Sequence, residues 1–540
     1  MNPDNSGSPT PGVSARNRLR FMRSGGVISQ SSWTLAALIL LWLAGTAWMR
    51  PLLLPDEGRY VGVAWEMLQS GDWLTPTING LPFFHKPPLF YWITAAALGA
   101  FGPHELPARL APLLGATASA LSLLWLTRRW SSPALVQSAT GLLLCLPIFY
   151  VGAQFANLDM LVAGCISVTI AALAHAVLCA ESGLTARKTL IVAWLGAALG
   201  VLAKGLIGFV LPALVLLLWL LMTRRLRLLG RLLWWPALLL FVAIAAPWFI
   251  AMQRRYPGFF DYFFVEQHVR RFAQGGFNNV QPVMFYPVVL LLLGLPWTLW
   301  AWRAAQRAWK GLNAPQALRA LMFCWFAVVL VFFSLPQSKL IGYVLPAVPP
   351  MAWLLAEAVA ASGLRWWRLC CGLGLALALF VIVGLSVTGR HSAKPIGLAL
   401  RQAQLAAGPA AVAAPLIFIG EYLYDVPFYA RNADAHLVID QWDSPQVRLR
   451  DNWRKELADA GRFAPELAQQ RLLRPEQLPQ LLCAQASAWL VLPLNDAKRL
   501  ALLAGLAPLV TADGSGLWRL ERGAAIKARR LSCPGMPNAG

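Results

Sequence analysis

The sequence predicts an α-helical polytopic membrane protein that ends in a soluble α/β domain, and three observations carry that expectation. Of its 540 residues, 58% are hydrophobic and only 13% are charged, against roughly 25% charged in an ordinary soluble domain. Apolar stretches near the ~20 residues that cross a bilayer recur from Ser32 to about Val387. Beyond that point the composition turns to that of a globular domain. The expected organisation is a cytoplasmic leader at 1–30, a membrane domain at 31–388 with a long outer loop at 50–106, and a soluble domain at 389–540.

The apolar segments read as 33–49, 107–127, 133–151, 159–180, 189–203, 206–223, 232–250, 283–302, 320–335, 341–361 and 366–388, about eleven spans. The leader is polar and basic through Arg16, Arg18, Arg20 and Arg23 and has no small-residue cleavage site, so it reads as a segment preceding an uncleaved first span. With that leader inside, alternation brings Arg128/Arg129, Arg187/Lys188, Arg224/Arg225/Arg227/Arg231, Arg303/Arg307/Lys310 and Arg365/Arg368 to the cytoplasmic face. Successive basic clusters on one side are what the positive-inside rule demands. Splitting the apolar run at Lys204 is needed to keep this register. An odd number of spans then puts the tail outside, in the periplasm of a bacterial inner membrane.

The net charge is +22. In a membrane protein the positive-inside rule and an anionic substrate account for it, and no arginine-rich, aromatic-interleaved module points to nucleic acid. Most of the eight cysteines fall in predicted spans, where thiols pack as small hydrophobes. Cys483 and Cys533 lie in the tail and could pair there. No CxxC or CxxH spacing marks a structural metal site.

The outer side retains Asp56, Glu57, Arg59, Lys86, Asp159, Lys204, Arg254, Arg255, Glu266, His268, Arg270, Arg271 and Lys339. Ionisable groups at a membrane edge are functional candidates, above all cations on the translocated side. In the first loop, Pro55-Asp56-Glu57 opens a helical period through Tyr60, Val63, Ala64, Met67 and Leu68 that closes at Gly71, as in an amphipathic interfacial helix. A second aromatic-rich stretch runs from Pro87 to Phe101. Simpler readings exist: Asp56 as a helix cap, Lys86 as a snorkelling side chain, and Glu266 pairing with Arg270 one helical turn on. In the tail, 415–420, 436–439, 488–492 and 517–520 read as strands, and 448–460 and 495–504 as helices.

Three motifs occur in order along the outer edges. They are Asp56-Glu57-x-Arg59-Tyr60 with Gly71-Asp72-Trp73 and Lys86-Pro87-Pro88-Leu89-x-Tyr91-Trp92, then Glu266 to Phe272, then Ser338-Lys339-Leu340-x-x-Tyr343-x-Leu345-Pro346. Together they resemble the aminoarabinose (4-amino-4-deoxy-L-arabinose) lipid A transferases, within the wider protein O-mannosyltransferase-like family of GT-C glycosyltransferases. The resemblance runs to about residue 350. It departs at His85, where those enzymes usually carry Glu, and at Gln267, which is inserted between Glu266 and His268.

The resemblance implies a GT-C-like fold and an undecaprenyl-phosphate sugar donor, with lipid A or another periplasmic acceptor. Its leaving group, a polyprenyl phosphate, gains negative charge as the anomeric bond opens, and fixed cations stabilise that change. Lys86, Arg271 and Lys339, backed by Arg59 and Arg270, are the expected phosphate cations. Asp56, then Asp159, are the expected catalytic carboxylates. Tyr343, Glu57, Tyr60 and Glu266 are expected to position substrate, and His85 and His268 could hold a divalent cation. Two other functions fit the same composition: transfer of hexosamine or mannose, or transport of lipid-linked sugars. Transport predicts inverted repeats with broken helices meeting at mid-bilayer, and the sequence has no such repeat.

Overall fold

Each of the predicted apolar segments contains a helix in the computed structural model, which describes residues 30–270, 279–311, 317–360, 363–388, 391–432, 434–449 and 452–534. Among the described residues, six helices are long and apolar enough to cross a bilayer by themselves: Leu110–Thr127, Leu158–Glu181, Trp235–Arg255, Ala317–Ser334, Ile341–Ala360 and Leu364–Thr388. The total reaches eight if two sharply bent pairs, at 133–153 and 285–309, each count as one span. Length and hydropathy therefore support fewer independent spans than the expected eleven. The shortfall has a physical cause. Ile207–Met222 is short, and Arg187–Lys204 carries Arg187, Lys188 and Lys204; the helix ending at Ala44 begins at the edge of the described residues. The chain is a multi-pass membrane protein, and its break at Lys204 is present: Gly205, at φ 94°, separates Lys204 from the helix that begins at Ile207.

Small residues set the close helix crossings, as packing in lipid requires. A Cβ on Gly164 would stand 2.3 Å from the carbonyl oxygen of Gly115, so the helices 110–127 and 158–181 touch backbone to backbone there. Gly200 and Gly208 make a similar contact across the Lys204 break.

The first loop folds as two helices and a short hairpin. Helix Asp56–Ser70 starts with two acids, favourable at the positive end of a helix. It ends at Gly71, whose φ of 72° lets its N–H reach the Met67 carbonyl at 3.2 Å. Strands β1 (Thr77–Ile78) and β2 (Leu81–Pro82) pair antiparallel around Asn79-Gly80. Helix Leu89–Phe101 follows.

What holds this loop to the membrane domain is Glu57. Its carboxylate is fully buried between Arg50 and Arg109, which are also buried. It also accepts from the backbone N–H of Leu53 at 3.0 Å and Ala156 at 2.7 Å. Arg109 fills its remaining donors with the carbonyls of Ala47, Arg50 and Pro51. Burial disfavours the charged carboxyl, but Arg109 and Arg50 outweigh it and hold Glu57 down at about 2. Glu57 was expected to position substrate. Instead, both its oxygens are spent on tying four chain segments together.

The tail is an α/β unit. Strands β3 (Leu416–Ile419), β4 (Leu437–Ile439), β5 (Leu472–Leu473), β6 (Ser487–Pro493), β7 (Val510–Ala512) and β8 (Ser515–Glu521) form one sheet in the order β5-β4-β3-β6-β8-β7. The pairs β3–β4, β3–β6 and β4–β5 are parallel, and β6–β8 and β7–β8 antiparallel. The four predicted strands are present, and β5 and β7 are additional. The predicted helix at 448–460 appears as Trp453–Gly461, capped by Asn452, whose side chain accepts from the Lys455 N–H at 3.1 Å. The predicted helix at 495–504 breaks into two short turns. Cys483 and Cys533 form a disulfide, with Cα atoms 5.6 Å apart.

The tail packs on the first loop through Tyr429, which accepts from the Leu52 N–H at 2.8 Å, through the mutual hydrogen bonds of Asn79 and His436, and through Lys394–Glu105 at 2.6 Å. Asp425 sits at this junction, fully buried, accepting from Ser392 Oγ at 3.0 Å and the Ala393 N–H at 2.9 Å.

Two outcomes follow from these buried acids. Glu57→Ala leaves two buried guanidinium groups without their carboxylate, a loss of about 3–5 kcal/mol, read as a large drop in unfolding temperature in detergent. Burial pushes Asp425 up to about 7, above the ordinary ~3.9. The stability held by its neutral form is thus complete below ~4 and is lost as pH rises through about 7. The unfolding temperature should fall between about pH 4 and 7 in the wild type and level off above that, and Asp425→Asn should flatten that fall.

Candidate active site

Helix 56–70 presents Asp56, Arg59 and Tyr60 on consecutive turns at the mouth of the membrane domain. Arg59 Nη2 donates to Asp56 Oδ1 at 2.5 Å, and its guanidinium lies over the Tyr60 ring, 4.8 Å from the centroid. Its other amino group pairs with Glu456 of the tail. Asp56 therefore does not act through its side chain as a helix cap; it is the first residue of the helix, and its side chain is about one-quarter exposed. Burial opposes the charge on Arg59, yet Glu456, Tyr60 and Asp56 outweigh it and hold the group firmly protonated. Both amino groups of Arg59 thus pair with carboxylates, while its buried Nε makes no hydrogen bond among the described residues.

A second cluster forms where three loops meet. Asn157 caps helix 158–181 by accepting from the Asp159 N–H at 3.0 Å, which fixes Asp159 at the first turn. Lys204, at the end of its own helix, pairs with Asp159 and stands 4.1 Å from the centre of the Tyr343 ring. Gly342 makes room for this: a Cβ there would lie 2.0 Å from Asp159 Oδ2. Tyr60 links the two clusters electrostatically. Burial drives its phenol well above its ordinary range, Arg59 opposes, and Asp56, Asp159 and Tyr343 add to the rise.

The remaining candidates are spread around these clusters. Lys86 is half-buried in the turn between β2 and helix 89–101. Its neighbour Phe84 packs against Tyr256, Phe259 and Phe463, with ring centres 5.0, 5.1 and 4.8 Å away. His85 is buried, stacked on Phe83 at 4.6 Å. Lys339 is buried, and its ammonium donates to the carbonyls of Gln281 and Pro336, while Val280 and Ser338 form a short antiparallel bridge. Burial lowers its affinity for a proton. Glu266 stands 3.6 Å from Arg462 of the tail.

Residues 261–270 form a π-helix, with wider turns than an α-helix. The α-helical i,i+4 spacing expected to pair Glu266 with Arg270 does not apply to that winding. The inserted Gln267 donates to the Tyr262 hydroxyl at 3.1 Å. The side chains of His268 and Arg270, and all of Arg271, lie outside the described residues. Among the described residues, no group of three or more His, Cys, Asp or Glu could hold a metal ion; the side chain of His268, the second ligand expected beside His85, lies outside them.

Three participants were missed by sequence reasoning: Glu456 and Tyr424, whose hydroxyl donates to Glu456 at 2.5 Å, and Lys204 as the partner of Asp159. Lys204 had left a signal, being a lone lysine at the outer end of an apolar helix. Glu456 had left none, because an acid on a soluble helix is ordinary.

The fold defined by these elements is the GT-C fold of membrane glycosyltransferases. It superimposes on the crystal structure of ArnT from Cupriavidus metallidurans bound to undecaprenyl phosphate with a TM-score of 0.74 at 23% identity, covering 91% of this chain and 98% of that one. The archaeal oligosaccharyltransferase AglB from Archaeoglobus fulgidus, in complex with an inhibitory peptide and a dolichol-phosphate, gives 0.51 at 14% identity, over 92% and 73% of the two chains. Residues 34–263 match the family described as dolichyl-phosphate-mannose-protein mannosyltransferase. Similar curated proteins are undecaprenyl phosphate-alpha-4-amino-4-deoxy-L-arabinose arabinosyl transferases. That of Erwinia tasmaniensis is 35% identical over 57% of this chain, and that of Pseudomonas savastanoi pv. phaseolicola 32% over 66%. The match spans 56% and 64% of their respective lengths.

The Asp159–Lys204 pair yields a direct test. Lys204→Met strands a carboxylate at the membrane edge and should cost about 3 kcal/mol or more, seen as a lower unfolding temperature. Lys204→Met with Asp159→Asn removes both charges and should recover most of that loss.

Proposed function

We propose that this protein is an inverting glycosyltransferase that moves a sugar, 4-amino-4-deoxy-L-arabinose, from undecaprenyl phosphate to lipid A on the periplasmic face of a bacterial inner membrane. The observation that carries this reading is two charged clusters, Asp56 with Arg59 and Asp159 with Lys204 and Tyr343, whose acids both act on the buried Tyr60 phenol, within a fold shared with a protein bound to undecaprenyl phosphate. The basic clusters at the opposite helix ends and the Cys483–Cys533 disulfide support an outward tail, since disulfides persist in oxidising compartments.

In this mechanism the bond between the anomeric carbon and the carrier phosphate oxygen breaks, and its electron pair leaves with the polyprenyl phosphate. Lys86, Arg271 and Lys339 are the leading cations for that developing charge, backed by Arg59 and Arg270. Lys339 exchanges its carbonyl partners for phosphate oxygen when the carrier binds. An acceptor oxygen attacks the opposite face of the sugar and forms the new bond. If the acceptor is a hydroxyl, its proton passes to Asp56. If the acceptor is a lipid A phosphate no proton need move, and Asp56 orients the sugar or its amine. Asp159, held by Lys204, and Tyr343 shape the sugar end of the pocket, and Tyr60 joins the two carboxylate clusters.

A second sugar, a hexosamine or mannose, is favoured by two observations: His85 stands where aminoarabinose transferases usually carry Glu, and the family match is to a mannosyltransferase description. One experiment separates the readings. The gene is deleted in its host, and lipid A mass spectra are recorded with wild-type, Asp56→Ala and Lys86→Ala complementation. Loss of a pentosamine mass, restored by wild type but by neither variant, is the expected result. A hexosamine shift changes the sugar and keeps the mechanism. Unaltered lipid A under expressing conditions removes lipid A as the acceptor.

A further inference from the structure

The tail contributes more to this site than a lid would. Helix 453–461 lines one wall of it: Glu456 pairs with Arg59, Tyr262 donates to Asp459 at 3.4 Å, and Phe463 packs on Phe84 and on Tyr262. Of these contacts, only that of Glu456 reaches the Asp56 cluster. We propose that Glu456 is a positioning residue for the transfer reaction, supplied by the C-terminal domain and acting on Asp56 through Arg59.

The argument is one of charge and geometry. Arg59 divides one positive charge between two carboxylates, with side chains 14% exposed at Arg59 and 9% at Glu456 against 27% at Asp56. Asp56 is the member that opens to the site. Glu456 is fixed from behind by the Tyr424 hydroxyl, so the planar guanidinium is clamped on its inner side and offers its other edge to Asp56. Without the charge of Glu456, the full charge of Arg59 falls on Asp56. That carboxylate is then drawn out of the orientation the sugar needs and is less able to accept a proton. A mere docking role is disfavoured because the tail is held elsewhere by Tyr429, by Asn79 with His436, by Lys394 with Glu105, and by the Trp65 indole on the Asn432 carbonyl at 3.0 Å.

The inference rests on the transferase reading, and its test separates the two. Purified full-length wild type, E456Q, E456D, R59Q, E456Q/R59Q and D56N are assayed with undecaprenyl-phosphate-linked aminoarabinose and lipid A, and kcat, donor KM and Tm are measured. The expected result is a kcat for E456Q at least about tenfold down, as misplacement of a reacting group costs, with donor KM and Tm near wild type. E456D should regain part of the rate. The double variant should be no slower than R59Q alone, since a residue acting through Arg59 has nothing left to act on. A wild-type rate in E456Q beside an inactive D56N overturns the inference and leaves the transferase reading standing. So does a loss that follows Tm and adds to that of R59Q. Absence of transfer by the wild type itself overturns both.

Discussion

The fold of the face that carries the candidate site depends on one buried carboxylate. Glu57 is enclosed by Arg50 and Arg109 and by the N–H groups of Leu53 and Ala156. The end of the first membrane helix, the first-loop helix, the start of helix 110–127 and the second outer loop all meet on it. Desolvating three charges is expensive, and such a cluster is tolerated only when every donor and acceptor is satisfied. The carbonyls of Ala47, Arg50, Pro51 and Gln154 complete that satisfaction. Once Glu57 is pinned, helical geometry leaves little freedom to Asp56, Arg59 and Tyr60, which project from the same turns.

From that anchor the site is assembled by convergence. Asp159 comes from a helix start, Lys204 from a helix end and Tyr343 from a broken segment, and they meet because Gly342 allows the backbone to approach the carboxylate. The tail closes the ring with Glu456 and Tyr424. Two domains of unlike composition therefore share one electrostatic network. The membrane domain supplies the charges at its rim, and the soluble domain determines how one of them, Arg59, is aimed.

Much of this was legible from pattern. The helix at 56–70, its stop at Gly71, the break after Lys204 and four strands of the tail follow from period, glycine and apolar alternation, which are local properties. Asp56, Asp159 and Tyr343 could be singled out because a charge or a motif at a membrane edge is unusual. Their partners could not be. Arg50 and Arg109 look like loop-end basic residues, and Glu456 looks like any surface acid: pairing across 52 or 397 residues leaves no trace in spacing, and the seven-residue step from Arg50 to Glu57 crosses a loop with no regular period. The i,i+4 reading of Glu266 with Arg270 did not carry over because the backbone there winds as a π-helix.

Hydrophobicity, charge bias and short motifs are properties of neighbouring residues, and they sufficed for the membrane class, the domain order and the rim on which chemistry is expected. Which acid is buried and structural, which is open to the site, and which cation is already occupied are decided by distance through space. Glu57 and Asp56 are adjacent in the chain and equal in charge. One faces two arginines in the interior and the other faces the mouth, and only the packing of the helix that carries both separates their roles.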